Sequence, residues 1–442
     1  MMSYRRSMTI TEKILAEHAG IESTISGQNI WVDIDYLMTH DVFGPEVIRI
    51  FEEKFGEQAR IWDPGKLVLI PDHYIFTDDS FANRNLAFLN VFAAKHNLEH
   101  YFPPHTDHYS GVCHVTLAEK GFNLPGGLLL GTDSHTCTSG AFGMFSTGIG
   151  NTEAAFVMGK GRLWLKVPQS IKVRFDGPMP AYLMAKDLIL HLIGDIGVDG
   201  ATYKTLEFCG STIEAISIEE RMTLCNMAVE AGAKNGIIAA DEKTLDYIAP
   251  RAKGPFKCVS SDDDAEYFLV KRYNTSTMAP TVARPHSPDN RAKASELDAI
   301  ALDRAYVGSC TGGKIEDLTA AASLLYGRRV AIDTFIVPAT TGIEAALRTT
   351  TFRDKTLFEI FAEAGCKIGK PSCAACVGGP IDTFGRTQGV ETVISSTNRN
   401  FPGRMGSGKS NIYLASPFTV IASALTGKIT DPRTIMEKQS WE

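Results

Sequence analysis

The sequence predicts an α/β protein with largely parallel strands, and three observations predict it. Apolar runs, polar or Gly-rich turns and amphipathic stretches follow one another along the chain, as strand–turn–helix units do. The clearest apolar runs, Leu128-Leu-Leu-Gly131, Ala305-Tyr-Val-Gly308 and Val393-Ile-Ser-Ser396, read as strands. Each is followed at once by a polar constellation, and the C-terminal edge of an open α/β sheet is where ligands bind.

Taken in order, the Leu128 strand ends at Thr132-Asp-Ser-His-Thr136. Gly140, Gly143, Gly148 and Gly150 then lead towards a helix near Asn151. Ser217-Ile-Glu-Glu220 reads as a capping box opening a helix on which Asn226 and Glu230, four apart, share a face. The Ala305 strand ends at Cys310, and Glu316 to Tyr326 reads as the helix after it. The Val393 strand ends at Asn398-Arg-Asn-Phe-Pro-Gly-Arg404. One break lies near Pro168, before a strand from Ile171 to Phe175. A second lies in the Pro-rich polar stretch Ala283-Arg-Pro-His-Ser-Pro-Asp289. They divide the chain into units 1–168, 169–285 and 286–442.

A chain of 442 residues has room for two to four domains with ample core. A net charge of −7 argues against nucleic-acid binding through a basic face. No uninterrupted apolar stretch is long enough to span a bilayer, so no membrane partner is expected. Nine cysteines are an odd number, and only one pair is closely spaced, which suits a reducing compartment rather than a disulfide framework. The start, Met1-Met-Ser-Tyr-Arg-Arg-Ser7, lacks the apolar core of a secretory signal and is short for an organelle transit peptide. The expected location is cytoplasmic.

Three cysteines carry the most chemistry. Cys373 and Cys376 sit in Ser372-Cys-Ala-Ala-Cys376, and Cys310 sits in Gly308-Ser-Cys-Thr-Gly312. An electron-carrying [4Fe–4S] cluster normally holds each iron with a thiolate. Three thiolates would leave one iron open as a Lewis acid, which suits dehydration more than electron transfer. Three buried structural cysteines are the alternative, and a lone CxxC also occurs in zinc and redox sites. Cys366, seven residues before Cys373, is the rival fourth ligand; it would close the site.

Seven of the eleven histidines lie between His73 and His135, several beside an acid, as in Asp72-His73, Asp107-His108 and Asp133-Ser-His135. An aspartate fixes a histidine tautomer and raises its basicity, which suits proton transfer. Scattered surface histidines are the plain alternative. A zinc cluster of His96, His100, His105 and His108 is disfavoured because the region reads as an exposed loop rich in aromatics and proline. Arg399 and Arg404 flank one turn and could grip two carboxylates, or simply form a solvated basic turn.

Gly403-Arg-Met-Gly-Ser-Gly-Lys-Ser410 matches the phosphate-binding loop pattern letter for letter. Such a loop should leave a strand directly and run into a helix. Here a polar loop and Pro402 come before it, and Asn411-Ile-Tyr-Leu followed by Ser416-Pro417 comes after. Gly308 to Lys314 has similar spacing, but Ile315 replaces the required hydroxyl residue.

Assembled, these segments resemble the aconitase superfamily, nearest to its branch of 3-isopropylmalate dehydratase large subunits. The matching motifs are Pro71-Asp-His73, Gly111-Val-Cys-His114, Gly131-Thr-Asp-Ser-His-Thr136, Cys225-Asn-Met-Ala-Val-Glu230, Gly308-Ser-Cys310, Ser372-Cys-Ala-Ala-Cys376 and Thr397-Asn-Arg-Asn-Phe-Pro-Gly-Arg404. They stand in the family's order and cover nearly the whole chain. The resemblance implies three α/β domains around an iron–sulfur cluster, without the family's swivelling domain. It implies a [4Fe–4S] cluster on Cys310, Cys373 and Cys376, with one iron not ligated by protein. The implied catalytic residues are Asp72, His73, His114, Asp133, His135 and Glu230, with Asp72 supporting His73, Asp133 pairing with His114, and Glu230 with His135. The implied substrate-binding residues are Ser134, Asn226, Asn398, Arg399 and Arg404, with both asparagines beside the cluster.

The resemblance further implies a hydro-lyase that converts 2-isopropylmalate to 3-isopropylmalate by dehydration and rehydration, in leucine biosynthesis. Homoaconitate or another 2-substituted malate is the runner-up substrate. An iron-sensing RNA binder and a phosphate-loop nucleotide binder are the rivals outside this class. The family's base for the carbon-bound proton is a serine on the swivelling domain. A small partner subunit carrying that domain is therefore expected, in a heterodimer or heterotetramer, closing a wide cleft lined by Asp133, His135, Arg399 and Arg404. Two departures stand out. Ala374-Ala375 fills the CxxC where relatives often have a glycine, and Lys314 stands where many bacterial relatives have arginine.

Overall fold

A computed structural model describes residues 6–439. Three parallel sheets organise them. In the first lobe the strand order is Leu67–Leu69, Tyr36–Thr39, Leu128–Gly131, Phe145–Gly148, all parallel. Leu128–Gly131 is buried at every residue, as a strand covered on both faces must be. A separate antiparallel pair, Asn29–Asp33 with Arg162–Lys166, belongs to the same lobe. Asn29–Asp33 alternates exposed and buried residues, the pattern of a strand with one wet face.

The second lobe is built on four parallel strands in the order Leu269–Asn274, Gln169–Asp176, Lys204–Cys209, Asn235–Ile237. The third has seven, in the order Arg291–Lys293, Thr281–Ala283, Asn411–Leu414, Thr392–Ser395, Arg304–Val307, Asp333–Ile336, Lys367–Ile368. The last five are parallel; the first two join by antiparallel pairing at one edge.

The expected break at 283–289 needs correction. Arg284 donates to the Asn290 carbonyl, and Thr281–Ala283 pairs with Arg291–Lys293, so this stretch is a hairpin turn inside the third sheet. The chain changes sheet earlier, between Asn274 and Thr281. The lobes are not simple beads either. Near Lys257–Asp262 the chain returns to the first lobe, where Lys257 donates to the Pro125 carbonyl and Met8 to the Asp262 carboxylate.

Side-chain caps set the helix starts, each satisfying an otherwise orphaned N–H. Asp79 accepts from Ala82 to open Ser80–His96, and Ser217 accepts from Glu220 to open Ile218–Asn226. The latter is half of the expected capping box, because the Glu220 carboxylate accepts from Ala185 instead. One apolar core runs through the second and third lobes and reaches first-lobe residues such as Val115 and Phe142, and two smaller clusters fill the rest of the first lobe. Close backbone approaches join them. At Gly111, φ is +118°, and a Cβ would lie 2.3 Å from the Ala339 carbonyl oxygen, so only glycine fits. At Gly140 a Cβ would lie 1.7 Å from the Gly236 oxygen, which lets the first lobe lie directly on the second. Among the described residues no helix is long and apolar enough to cross a membrane.

Candidate active site

Three neighbouring strands of the first sheet end side by side. Tyr36–Thr39 delivers His40 and Asp41, Leu67–Leu69 is followed by Asp72 and His73, and Leu128–Gly131 by Asp133 and His135. Asp41 ties two of these ends together by accepting the backbone N–H groups of Asp72, His73 and Tyr74 at 2.9, 3.0 and 2.6 Å. His73 Nδ1 lies 2.6 Å from Asp72 Oδ1. The other Asp72 oxygen accepts from Cys113 N–H at 2.7 Å, anchoring the helix Cys113–Glu119 that presents His114. Asp133 is the hub. Its Oδ1 lies 3.0 Å from His114 Nε2, accepts the His135 backbone N–H at 2.7 Å, and is 3.2 Å from His135 Nδ1. His40 Nε2 and His73 Nε2 each stand 3.8 Å from its Oδ2.

The site then spans all three lobes. His135 Nε2 is 2.7 Å from Glu230 Oε1, across the boundary to the second lobe. Arg399 Nε, from the third, donates to both Glu230 oxygens at 2.8 and 2.9 Å. The Arg404 Nε is buried without a hydrogen-bond partner, as are His40 Nε2 and His114 Nδ1.

Charges here are strongly conditioned by burial and by one another. For His73, burial works against protonation, but the Asp72 carboxylate outweighs it and raises the pKa to about 10. For His135, burial and Arg399 lower it, while Asp133 and Glu230 prevail and raise it to about 8. His40 goes the other way. Burial, then the neighbouring His73 charge, lowers it to about 4, leaving a neutral ring. Burial would raise Asp133 and Glu230, but His114 and His135 hold Asp133, and His135 with Arg399 holds Glu230, below the usual carboxylate range.

The third lobe supplies thiols. Cys310 follows strand Arg304–Val307, and Cys373 and Cys376 lie beyond Lys367–Ile368; all three are free and buried. Ser309 sits among them, its Oγ 3.5 Å from the sulfurs of Cys310 and Cys376 and 3.9 Å from that of Cys373. Its φ of +72° is unusual for a non-glycine residue; such strain costs about 1–3 kcal/mol and collects at functional sites. Asn226 and Asn398 donate to the Cys310 sulfur at 3.1 and 3.4 Å. Cys373 N–H donates to the Asp72 carbonyl at 2.8 Å, tying this loop to the first lobe. A hydrogen bond from Cys373, with help from His114 and His135, lowers the Cys310 pKa to about 5 against the burial penalty. Three convergent buried thiols, unpaired, with amide donors aimed at one sulfur, fit a three-thiolate cluster site.

Cys366 is excluded from that group by its position. It lies just before strand Lys367–Ile368, at the N-terminal end of the parallel strands, whereas the other three follow strand C-terminal ends. Asn226 and Asn398, expected to bind substrate, divide their amide donors between Cys310 and, respectively, Thr138 Oγ1 and Asn226 Oδ1, while Ser134 lines a surface cavity of about 460 Å³ with Gly148, Tyr203 and Lys234. Of the four residues expected to line a wide cleft, Asp133 (8% exposed) and His135 (3%) are buried, whereas Arg399 and Arg404 are partly exposed. Lys314 points to the Cys310 carbonyl, Thr223 and Asp317, all buried. The nucleotide loop fails structurally, because Gly403–Ser410 runs into strand Asn411–Leu414 rather than a helix. The four histidines from His96 to His108 form no metal-ligand group among the described residues, and His96 ends a helix rather than lying in a loop. The sequence reading passed over His40, Ser309 and Lys186.

The family model for the aconitase family (aconitate hydratase) matches residues 12–299 and 292–427. The chain belongs to the aconitase family. Curated relatives named 3-isopropylmalate dehydratase large subunit resemble it over nearly their full length. The chloroplastic one of Arabidopsis thaliana is 53% identical, covering 98% of this chain and 88% of that protein. Those of Desulfitobacterium hafniense and Aquifex aeolicus are 43% and 42% identical, covering 97% and 98% of this chain and 100% and 99% of theirs. The crystal structure of Thermococcus kodakaraensis aconitase X in its holo form shares the fold, with a TM-score of 0.50, 13% identity, and coverage of 97% of this chain and 94% of that one. Aconitase-family enzymes carry a [4Fe–4S] cluster, and the cysteines such a cluster needs are present here.

Proposed function

We propose that this chain is the large subunit of a hydro-lyase that interconverts 2-isopropylmalate and 3-isopropylmalate by loss and return of water, in leucine biosynthesis. The observation that carries the chemistry is the line His135–Glu230–Arg399, one residue from each lobe, running beside three convergent thiols. The choice of substrate follows the full-length relatives at 42–53% identity.

Cys310, Cys373 and Cys376 would hold a [4Fe–4S] cluster. When bound, a cluster with one iron free of protein ligands supplies a Lewis acid for the substrate hydroxyl and carboxylate. The remaining work falls to this chain's side chains. Arg404, and the Arg399 nitrogens left free by Glu230, grip the carboxylates. His73, protonated against Asp72 and with Nε2 facing Asp133, delivers the proton to the departing hydroxide and recovers one on rehydration. Asp133, His135 and Glu230 hold a fixed alternation of charge beside it, so little reorganisation is needed during reaction. Asn226 and Asn398 steady the Cys310 sulfur.

Abstraction of the carbon-bound proton needs a base that these residues do not offer. His40 is neutral, but with a pKa near 4 it is a weak one. A small partner subunit would bring that base and cover the site, in keeping with relatives named as large subunits. The test is anaerobic reconstitution of the cluster, then turnover of 2-isopropylmalate by the chain alone and with its small subunit, alongside other 2-substituted malates. The expected result is background turnover alone and formation of 3-isopropylmalate in the complex. Full activity of the single chain, or preference for another malate, would overturn the reading.

A further inference from the structure

Lys186 lies in the first turn of helix Ala185–Ile196 in the second lobe and is 1% exposed. Its ammonium crosses into the third lobe, donating to Thr311 Oγ1 at 3.0 Å and to the carbonyls of Ser396 and Thr397 at 2.8 and 2.6 Å. Thr311 gives its own proton to the Ser396 carbonyl, so towards Lys186 its oxygen can only accept. Three acceptors therefore surround one nitrogen. An ammonium has three N–H groups to match them; a neutral amine has two. The geometry describes a cation.

Among the described residues no carboxylate contacts that cation, and Asp317 acts on it only at a distance. The other buried lysine nearby, Lys314, has Asp317 at 2.7 Å, and Arg399 has Glu230. A buried ammonium without an opposite charge is costly. Burial duly pushes the Lys186 pKa down to about 7, and the group that most opposes this is Cys310. The oxygens holding Lys186 belong to two strand-end loops. One carries Cys310, and the other carries Asn398 and Arg399. The missing negative charge can come from the thiols next to those loops.

We propose that Lys186 is the counter-charge of the loaded cluster site, a positioning residue that ties the Cys310 loop to the Asn398 loop and balances the net negative charge of a three-thiolate cubane. The inference rests on the cluster assigned under the proposed function. It explains why a helix of the second lobe should send a lysine into a neighbouring lobe where no described carboxylate contacts it.

The test uses the reconstituted full chain with its small subunit and compares wild type with Lys186→Gln, Lys186→Met and Lys186→Arg. The readouts are the cluster's reduction potential, from an EPR-monitored titration, and the rate of iron loss to a chelator. Thermal unfolding of each apo-chain checks the fold. Both neutral variants should shift the potential to lower values and lose iron severalfold faster, and Lys186→Arg should recover most of both. If the methionine variant does not fold, Lys186→Gln, which retains a donor, decides. A glutamine variant with wild-type potential and iron retention overturns the proposal. A wild-type chain that takes up no cluster overturns the functional reading and this inference together.

Discussion

The strand ends of the first lobe and those of the third face the same site but are finished to different degrees. In the first lobe Asp41, Asp72 and Asp133 already hold the backbone and the imidazoles around them, without any added group. In the third lobe the thiols of Cys310, Cys373 and Cys376 crowd one serine hydroxyl, and Arg404 keeps a buried nitrogen unpartnered. One half has its acid–base pairs formed as folded, with His40 Nε2 and His114 Nδ1 left without a hydrogen bond; the other would be completed by the cluster proposed above. Proton-handling groups must be preorganised to act, whereas metal ligands gain their partners on loading.

The comparison breaks most sharply at Cys310. Cys310→Ser should abolish the visible absorption of the cluster and reduce turnover to background, while thermal unfolding of the apo-chain barely changes. Cys366→Ser, at the other end of the parallel strands, should keep both absorption and activity. Loss of the cluster in the Cys366 variant would show that the three-thiol grouping is wrong.

Glu230→Gln tests the acid–base side through the second-lobe partner of His135. Glutamine keeps the shape but cannot hold the His135 cation or the Arg399 guanidinium. Turnover should fall by about 10²–10⁴-fold, the range for a lost acid–base element, with cluster absorption retained. Equal loss of cluster and activity would mean that Glu230 serves the fold rather than the reaction.

The pH profile sharpens the same point. Turnover of the complex should decline as pH rises through about 8, where His135 loses its proton; His73, near 10, follows later. The sign for stability agrees. The His135 pKa is raised on folding from 6.5, so its contribution is full below about 6.5 and is lost as pH rises through about 8. Because Glu230 helps to raise that value, the alkaline limb should move to lower pH in Glu230→Gln. An unmoved limb would assign the titration to another group.

How much of this was legible in the sequence depended on distance along the chain. Asp72 with His73, and Asp133 with His135, are local pairs, and the cysteines announce themselves in turns after apolar runs. The pairing of Glu230 with His135, 95 residues apart, leaves no periodic signal; resemblance pointed to it, and the close Gly140–Gly236 approach brings the two lobes together. His40 was passed over because its role comes from the parallel neighbours of its strand, and Lys186 because only lobe packing buries it. The stretch 283–289 was misread because proline and polar residues mark a hairpin turn as readily as a linker.

The smallest effect is expected at Lys409, where a perfect local match meets the wrong surroundings. A phosphate cradle needs successive N–H groups at a helix N-terminus, with the lysine reaching in. Here Ser407 Oγ donates to the Gly389 carbonyl and accepts the Lys409 N–H at 3.2 Å, so the loop's polar groups are turned on the protein itself. Gly408 and Lys409 are exposed, and strand Asn411–Leu414 begins immediately after Ser410. Lys409→Ala should therefore leave turnover within about twofold of wild type, since exposed substitutions away from special contacts usually shift stability by no more than about 0.5 kcal/mol. Calorimetric titration with ATP should give no heat of binding for either protein. Micromolar ATP binding that disappears in the alanine variant would show that the loop rearranges into a cradle, and that a local motif can outweigh the sheet it is built into.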